Sequence, residues 1–221
     1  MVDIFDEVDE ELRADRAQQL LKRYGGLIVV AALVIVLAAA GWQGWRWYEA
    51  RQDQAAALEY LSAMNLTETT AAGNSDAKRN AGVAALASLA ARAPQGYATL
   101  ALLREAALKA DAGDLRGAAV LWDRVSADTS VDPLLRDLAS LLWAQHELDT
   151  GDPSVVEARL KALAGPDNPW RALADEQIAL LDLREGRREQ AKAALRRLTQ
   201  DATTPAGVRG RASALLGRID T

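Results

Sequence analysis

The stretch Ala179-Leu180-Leu181-Asp182-Leu183-Arg184-Glu185-Gly186-Arg187-Arg188-Glu189-Gln190-Ala191-Lys192-Ala193-Ala194-Leu195-Arg196-Arg197-Leu198 decides the fold. Gly186 divides two segments rich in Ala, Leu, Arg and Glu, all strong helix formers. A small residue, Ala179, stands seven before the glycine, and Ala191 stands five after it. Leu195 and Leu198 follow at nine and twelve after it. Helical spacing puts these three on one stripe of the second segment, so the stretch reads as two helices crossing closely about a glycine turn.

The same register occurs twice more upstream, which makes it a repeat. Around Gly113 it is filled by Ala106, Ala118, Trp122 and Val125, and around Gly151 by Ala144, Val156, Leu160 and Leu163. Prolines at 94, 133, 169 and 205, separated by 39, 36 and 36 residues, punctuate the units. Proline suits the first turn of a helix and glycine the left-handed residue that ends one. Each unit therefore reads as proline, helix, glycine turn, second helix. Small residues let the paired helices approach, and the large apolar ones fill the space against the next unit.

This pattern resembles the tetratricopeptide repeat, with two departures. The period exceeds the usual length, and the position four before each glycine, often aromatic, holds Lys109, Glu147 and Asp182. Upstream, Tyr48–Met64 reads as a helix with Ala57, Leu58, Leu61 and Met64 on its apolar stripe. A polar turn is expected over Thr67–Ser75, then a helix over Asp76–Ala93 with Leu86 and Leu89 in the core. After Pro205 one helix, Ala206–Ile219, is expected to cap the stack.

Near the N-terminus the chain changes character. From Tyr24 to Trp45 no residue is charged, and Leu27 to Leu37 is an unbroken apolar run. About 20 helical residues span about 30 Å, the hydrocarbon thickness of a bilayer. Lys22 and Arg23 close one end; Trp42, Trp45, Trp47 and Tyr48 cluster at the other, as rings do at the headgroup level. The acidic tail is long and the apolar run exceeds a usual signal-peptide core, which argues against cleavage at Ala38-Ala39-Ala40. Arg13, Arg16, Lys22 and Arg23 outweigh Arg46 and Arg51, so the N-terminus is expected inside. The expected organisation is a cytoplasmic tail (1–23), a transmembrane helix (24–46) and an extracytoplasmic repeat domain (47–221). The fold class is all-α: one N-terminal transmembrane helix followed by an α-solenoid of helix-turn-helix repeats.

Charge narrows the function classes. The net charge of −5 argues against nucleic-acid binding. Its distribution is uneven: −8 over residues 49–183 and +5 over residues 184–221. Arg188, Lys192 and Arg196, at i, i+4 and i+8, form one basic face on the last repeat's second helix, opposite Ala191, Leu195 and Leu198. The default reading is a solvated face. The functional alternative is docking of an acidic partner or anionic headgroups.

Chemistry is thinly represented. There is no cysteine, which removes disulfides, thiolate metal sites and thiol catalysis. The single histidine, His146, has no accompanying nucleophile motif, and no metal spacing or phosphate loop stands out. The expectation is a protein-binding module, not an enzyme, with no cofactor and no small-molecule substrate.

The stretch Val8-Asp9-Glu10-Glu11-Leu12-Arg13-Ala14-Asp15-Arg16, then Leu21-Lys22-Arg23-Tyr24-Gly25, with Gly41-Trp42-Gln43-Gly44-Trp45 after the span, resembles the alphaproteobacterial branch of the YfgM-like family. Members of that family are ancillary subunits of the bacterial Sec translocon. The resemblance implies a periplasmic domain anchored in the inner membrane, working beside the translocon with membrane-anchored periplasmic chaperones. It supplies no catalytic residues. A membrane-anchored scaffold for envelope assembly or cell division is the competing expectation.

Overall fold

A computed structural model of the chain describes residues 4–68 and 75–219. The described residues are all-helical, with no strand. The helices are α1 (Ile4–Glu68), α2 (Ser75–Arg92), α3 (Gln95–Asp111), α4 (Leu115–Ala127), α5 (Pro133–His146), α6 (Pro153–Leu163), α7 (Arg171–Arg184), α8 (Arg188–Gln200) and α9 (Ala206–Ile219). The chain divides into two compact units, Met1–Gln52 and Asp53–Thr221. Residues 69–74 of the expected polar turn lie outside the described residues.

In the first unit the apolar residues of α1 whose surroundings are described have no protein cover. Leu27, Val29, Val30, Leu33, Val34, Ile35, Val36 and Leu37 are all exposed, on every side of the helix. An 18-residue window of mean hydropathy 1.5 lies in α1 with none of it buried. Among the described residues this is one helix long and apolar enough to cross a membrane, and it lies near the N-terminus. The ring N–H of Trp45 donates to Glu49 at 2.7 Å, and Arg51 stacks on Trp47 at 5.3 Å. Both contacts give the amphipathic indole a polar side, as an interfacial position requires.

The second unit is the repeat stack, and its register is the expected one. All twelve residues at the equivalent positions, from Ala106 and Trp122 to Leu195 and Leu198, are at most 5 % exposed. Four cores follow one another along the chain, each shared by neighbouring helices: α1–α2–α3, α3–α4–α5, α5–α6–α7 and α7–α8–α9. No core is common to the whole unit, so stability is held in nearest-neighbour interfaces.

Local chemistry sets the joints. Asp114, Asp132 and Asp152 cap α4, α5 and α6, accepting from the backbone N–H groups of Gly117, Leu134 and Ser154. These bonds satisfy donors that the first helical turn leaves free. Gly113 and Gly186 adopt φ of 86° and 74°. Beyond them the amides of Asp114 and Arg187 donate to the carbonyls of Lys109 and Asp182, the closure that ends a helix at a left-handed glycine.

Gly151 departs from this expectation. It is not left-handed: α5 stops at His146, and the Gly151 amide donates to Glu147 at 2.7 Å. A Cβ on Gly151 would lie 2.8 Å from that carbonyl oxygen, so space rather than dihedral demands glycine there. The prolines differ as well. Pro133 opens α5 as expected, but Pro94 and Pro205 stand just before α3 and α9, and Pro169 stands two residues before α7.

The first helix pair corrects a second expectation. Ala56 and Ala63, not Leu58 and Leu61, face the core; Leu58 is 70 % and Leu61 57 % exposed. Ala57 and Met64 are half-buried, and Leu86 and Leu89 are buried as expected. Close approach is the cause. A Cβ on Gly82 of α2 would lie 2.5 Å from the Thr67 side chain. Only small residues fit so near a crossing, so alanines take the inside and the leucines are turned out.

Candidate protein-binding surfaces

The first helices of successive units touch directly, α3 with α5, α5 with α7 and α7 with α9. The second helices α4, α6 and α8 make no comparable backbone approach to one another and meet through side chains, as Arg159 of α6 does with Asp123 of α4. The stack therefore bends with its first helices on the inner side, and an inner side of this kind is where repeat domains offer an extended surface. A groove of about 660 Å³ opens there, lined by Gln145 of α5, by Leu173, Glu176, Gln177 and Leu180 of α7, and by Arg211, Ala214, Leu215 and Arg218 of α9.

Glu176 anchors the groove. It is 3 % exposed, yet both carboxylate oxygens accept from Arg211, at 2.7 and 2.6 Å. That geometry satisfies the buried charge in a bidentate pair. Gln177 contributes a shielded Oε1 that accepts no hydrogen bond from the protein.

The residues that replace the usual aromatic, Lys109, Glu147 and Asp182, do not line this groove. Asp182 is buried and accepts from Arg187 at 2.6 Å. Its carboxylate makes the Arg187 guanidinium harder to deprotonate. Lys109 lies 3.9 Å from Glu105 and 3.6 Å from Asp114. Burial raises the Glu105 carboxyl above its usual range, with Lys109 opposing. Glu147 is the C-cap of α5. All three stand at the C-terminal ends of first helices, Lys109 and Asp182 in the last turns of α3 and α7 and Glu147 just beyond α5.

Part of the basic excess of the C-terminal segment is spent inside the stack. Arg211 reaches Glu176, Arg187 reaches Glu157 as well as Asp182, and Arg184 donates to the carbonyls of Leu148 and Gly151. Arg209 donates to the Ala202 carbonyl. The pattern runs through the unit: Arg92 pairs with Glu59, and Arg159 pairs with Asp123 while stacking on Trp143 at 3.8 Å. Arg92, Arg159, Arg184, Arg187 and Arg211 thus reach back about one repeat to acidic or carbonyl partners. Opposite charges 35 and 36 residues apart, Glu176 with Arg211 and Asp123 with Arg159, carried this signal in the sequence.

Arg188, Lys192 and Arg196 all lie on α8; Arg188 and Arg196 are exposed and Lys192 is half-buried. His146 is a packing residue: its ring sits 4.5 Å from that of Trp122, and its Nδ1 is 2.9 Å from the Leu142 carbonyl.

A family model described as the tetratricopeptide repeat-like domain matches residues 18–194. The chain belongs to this family. The match takes in the apolar run of α1 and extends into α8. No curated protein and no solved structure matches the chain. An all-helical tetratricopeptide repeat-like stack is a protein-interaction fold, and its exposed apolar N-terminal helix fits an anchor.

Proposed function

We propose that the chain is a membrane-anchored, periplasmic protein-binding module of the bacterial inner membrane, an ancillary subunit that works beside the Sec translocon with membrane-anchored chaperones. The observation carrying this reading is the joining of a tetratricopeptide repeat-like stack to a helix whose apolar residues are exposed on all sides. The basic bias before Tyr24 favours a cytoplasmic tail over residues 1–23, a span over 24–46 and a repeat domain outside from residue 47. The translocon and chaperone partners come from the resemblance of the chain, most specific over residues 4–48, to the YfgM-like family.

In this reading Arg188, Lys192 and Arg196 steer an acidic partner onto α8. Reversing all three to Glu should slow association with the purified translocon or its chaperone partner and weaken its salt dependence, with helical content unchanged. Unchanged rates would reduce these residues to a solvated face. Crosslinking in native membranes followed by purification tests the larger claim. Recovery of translocon or chaperone subunits supports it, whereas exclusive recovery of envelope-assembly or division proteins would replace it with a scaffold.

A further inference from the structure

We propose that the chain pairs with a second copy of itself through the exposed face of α1 between Gln54 and Asn65, as a parallel two-stranded coiled coil. This rests on the membrane anchor of the reading above and adds what the helix beyond that anchor meets.

The far side of α1 defines the face. Ala56 and Ala63 enter the core shared with α2 and α3, and Thr67 is buried as well. Leu58 stands two residues after Ala56, and Leu61 two before Ala63. Two residues rotate the helix by about 200°, so both leucines project away from that core, and both are exposed.

Spacing sets the kind of surface that covers them. Gln54, Leu58, Leu61 and Asn65 are all exposed and follow one another at intervals of four, three and four residues. That alternation is the seam of a coiled coil, where each side chain enters a hole on a facing helix. One step earlier the seam position holds Arg51, whose guanidinium lies over the Trp47 ring, so the pairing starts at Gln54. A seam this short gains from anchoring, because two chains confined to one bilayer meet at a high effective concentration.

Charge and symmetry make the facing helix another copy. Among residues 54–65 the one charged side chain is Glu59, off the seam and paired with Arg92 at 2.6 Å. Identical surfaces that carry charge repel when they face each other, and this strip avoids that cost. The Gln54 amide holds both donors and an acceptor, so it can bond its own counterpart. Finally, α1 runs unbroken from Ile4 to Glu68. Two anchored copies therefore present the seam in the same direction and at the same height, as a parallel two-fold pairing requires.

The test uses the full chain in native membranes, where the lack of natural cysteine makes disulfide trapping specific. Under copper phenanthroline, Gln54→Cys on the seam should form a disulfide-linked homodimer, and Asp53→Cys, off the seam, should stay largely monomeric. Leu58→Ala with Leu61→Ala should weaken self-association, read by energy transfer between labelled chains diluted in liposomes, by about tenfold or more. Adding Leu58→Glu and Leu61→Glu to the Gln54→Cys chain should abolish the trapped dimer, with circular dichroism and thermal unfolding unchanged. The corresponding pair of Lys substitutions should do the same. Co-expression of the Glu and Lys chains with different tags should restore a mixed dimer.

Equal trapping at the two cysteines, a dimer that survives the Glu pair, or Glu and Lys chains that fail to rescue each other overturns the proposal. A Gln54→Cys chain that stays monomeric but remains in the alkaline membrane pellet removes the pairing and leaves the anchored reading standing. Release of the chain from that pellet removes the anchor and the pairing with it.

Discussion

Leu33 and Leu195 are the same residue in the same kind of helix, yet the first is 58 % exposed and the second fully buried. Around Leu33 the neighbouring apolar side chains point every way, so no single protein surface can cover them. Around Leu195 the apolar residues form one buried stripe, Ala191, Leu195 and Leu198, and α7 and α9 cover Leu195 and Leu198. Hydrophobicity is common to both regions; its angular distribution decides whether lipid or protein is the solvent. Residues 56–63 of α1 lie between these cases, with alanines packed inside and Leu58 and Leu61 left outside.

The comparison can be broken by exchanging what each region requires. Leu160→Ala and Leu195→Ala each empty a fully buried position and should cost about 2–5 kcal/mol in denaturant unfolding. Leu33→Ala, in contrast, should leave repeat-domain unfolding unchanged. Val34→Lys should reverse the pattern, lowering membrane insertion by about 2.5–3.5 kcal/mol while the repeat unit unfolds at its normal midpoint. Equal effects of these substitutions on both readouts would mean that the span packs as part of a soluble core.

A smaller change sharpens the account of the helix crossings. Ala144→Leu and Ala179→Leu add volume where helices meet most closely and should destabilise by about 1–3 kcal/mol. The same replacement at exposed Ala193 should be neutral.

The smallest effect is a pH dependence. Hydroxyl and backbone donors of Ser130, Ser154 and Thr203 hold Asp128, Asp152 and Asp201 below the usual carboxylate range. Depressed folded-state values mean stability that is complete above the ordinary carboxylate pKa and lost as pH falls through the lowered one. Ser154→Ala and Thr203→Ala should therefore destabilise near neutral pH, and the difference from the parent should vanish in acid. Burial raises Glu105 and Asp175, so these two favour the folded state more as pH falls.

How much of this was legible in the sequence follows from the range of each interaction. The repeat register was legible because Ala179, Gly186, Ala191 and Leu195 interact within one unit, at offsets the other units reproduce. The first helix pair was not. In α1 both the Ala56–Ala63 face and the Leu58–Leu61 face satisfy helical spacing, and hydrophobicity alone selects the leucines. The deciding factor, the crowding of Gly82 against Thr67, joins helices separated by a turn. The inner groove was equally hidden, since Gln145, Gln177 and Ala214 come from three units and meet only after the stack bends. The role of Arg211 was accessible in principle through its 35-residue separation from Glu176.

The natural chain has no cysteine, which permits the most direct test of an anchored stack outside the cytoplasm. Single-cysteine variants Ala193→Cys, on the exposed side of α8, and Ala14→Cys, in the N-terminal segment, are each treated in intact spheroplasts with a membrane-impermeant maleimide. Ala193→Cys should label at once and Ala14→Cys only after lysis, with both full-length chains remaining in the membrane pellet at alkaline pH. Labelling of Ala14→Cys alone before lysis, or release of either chain from the pellet, would contradict the account.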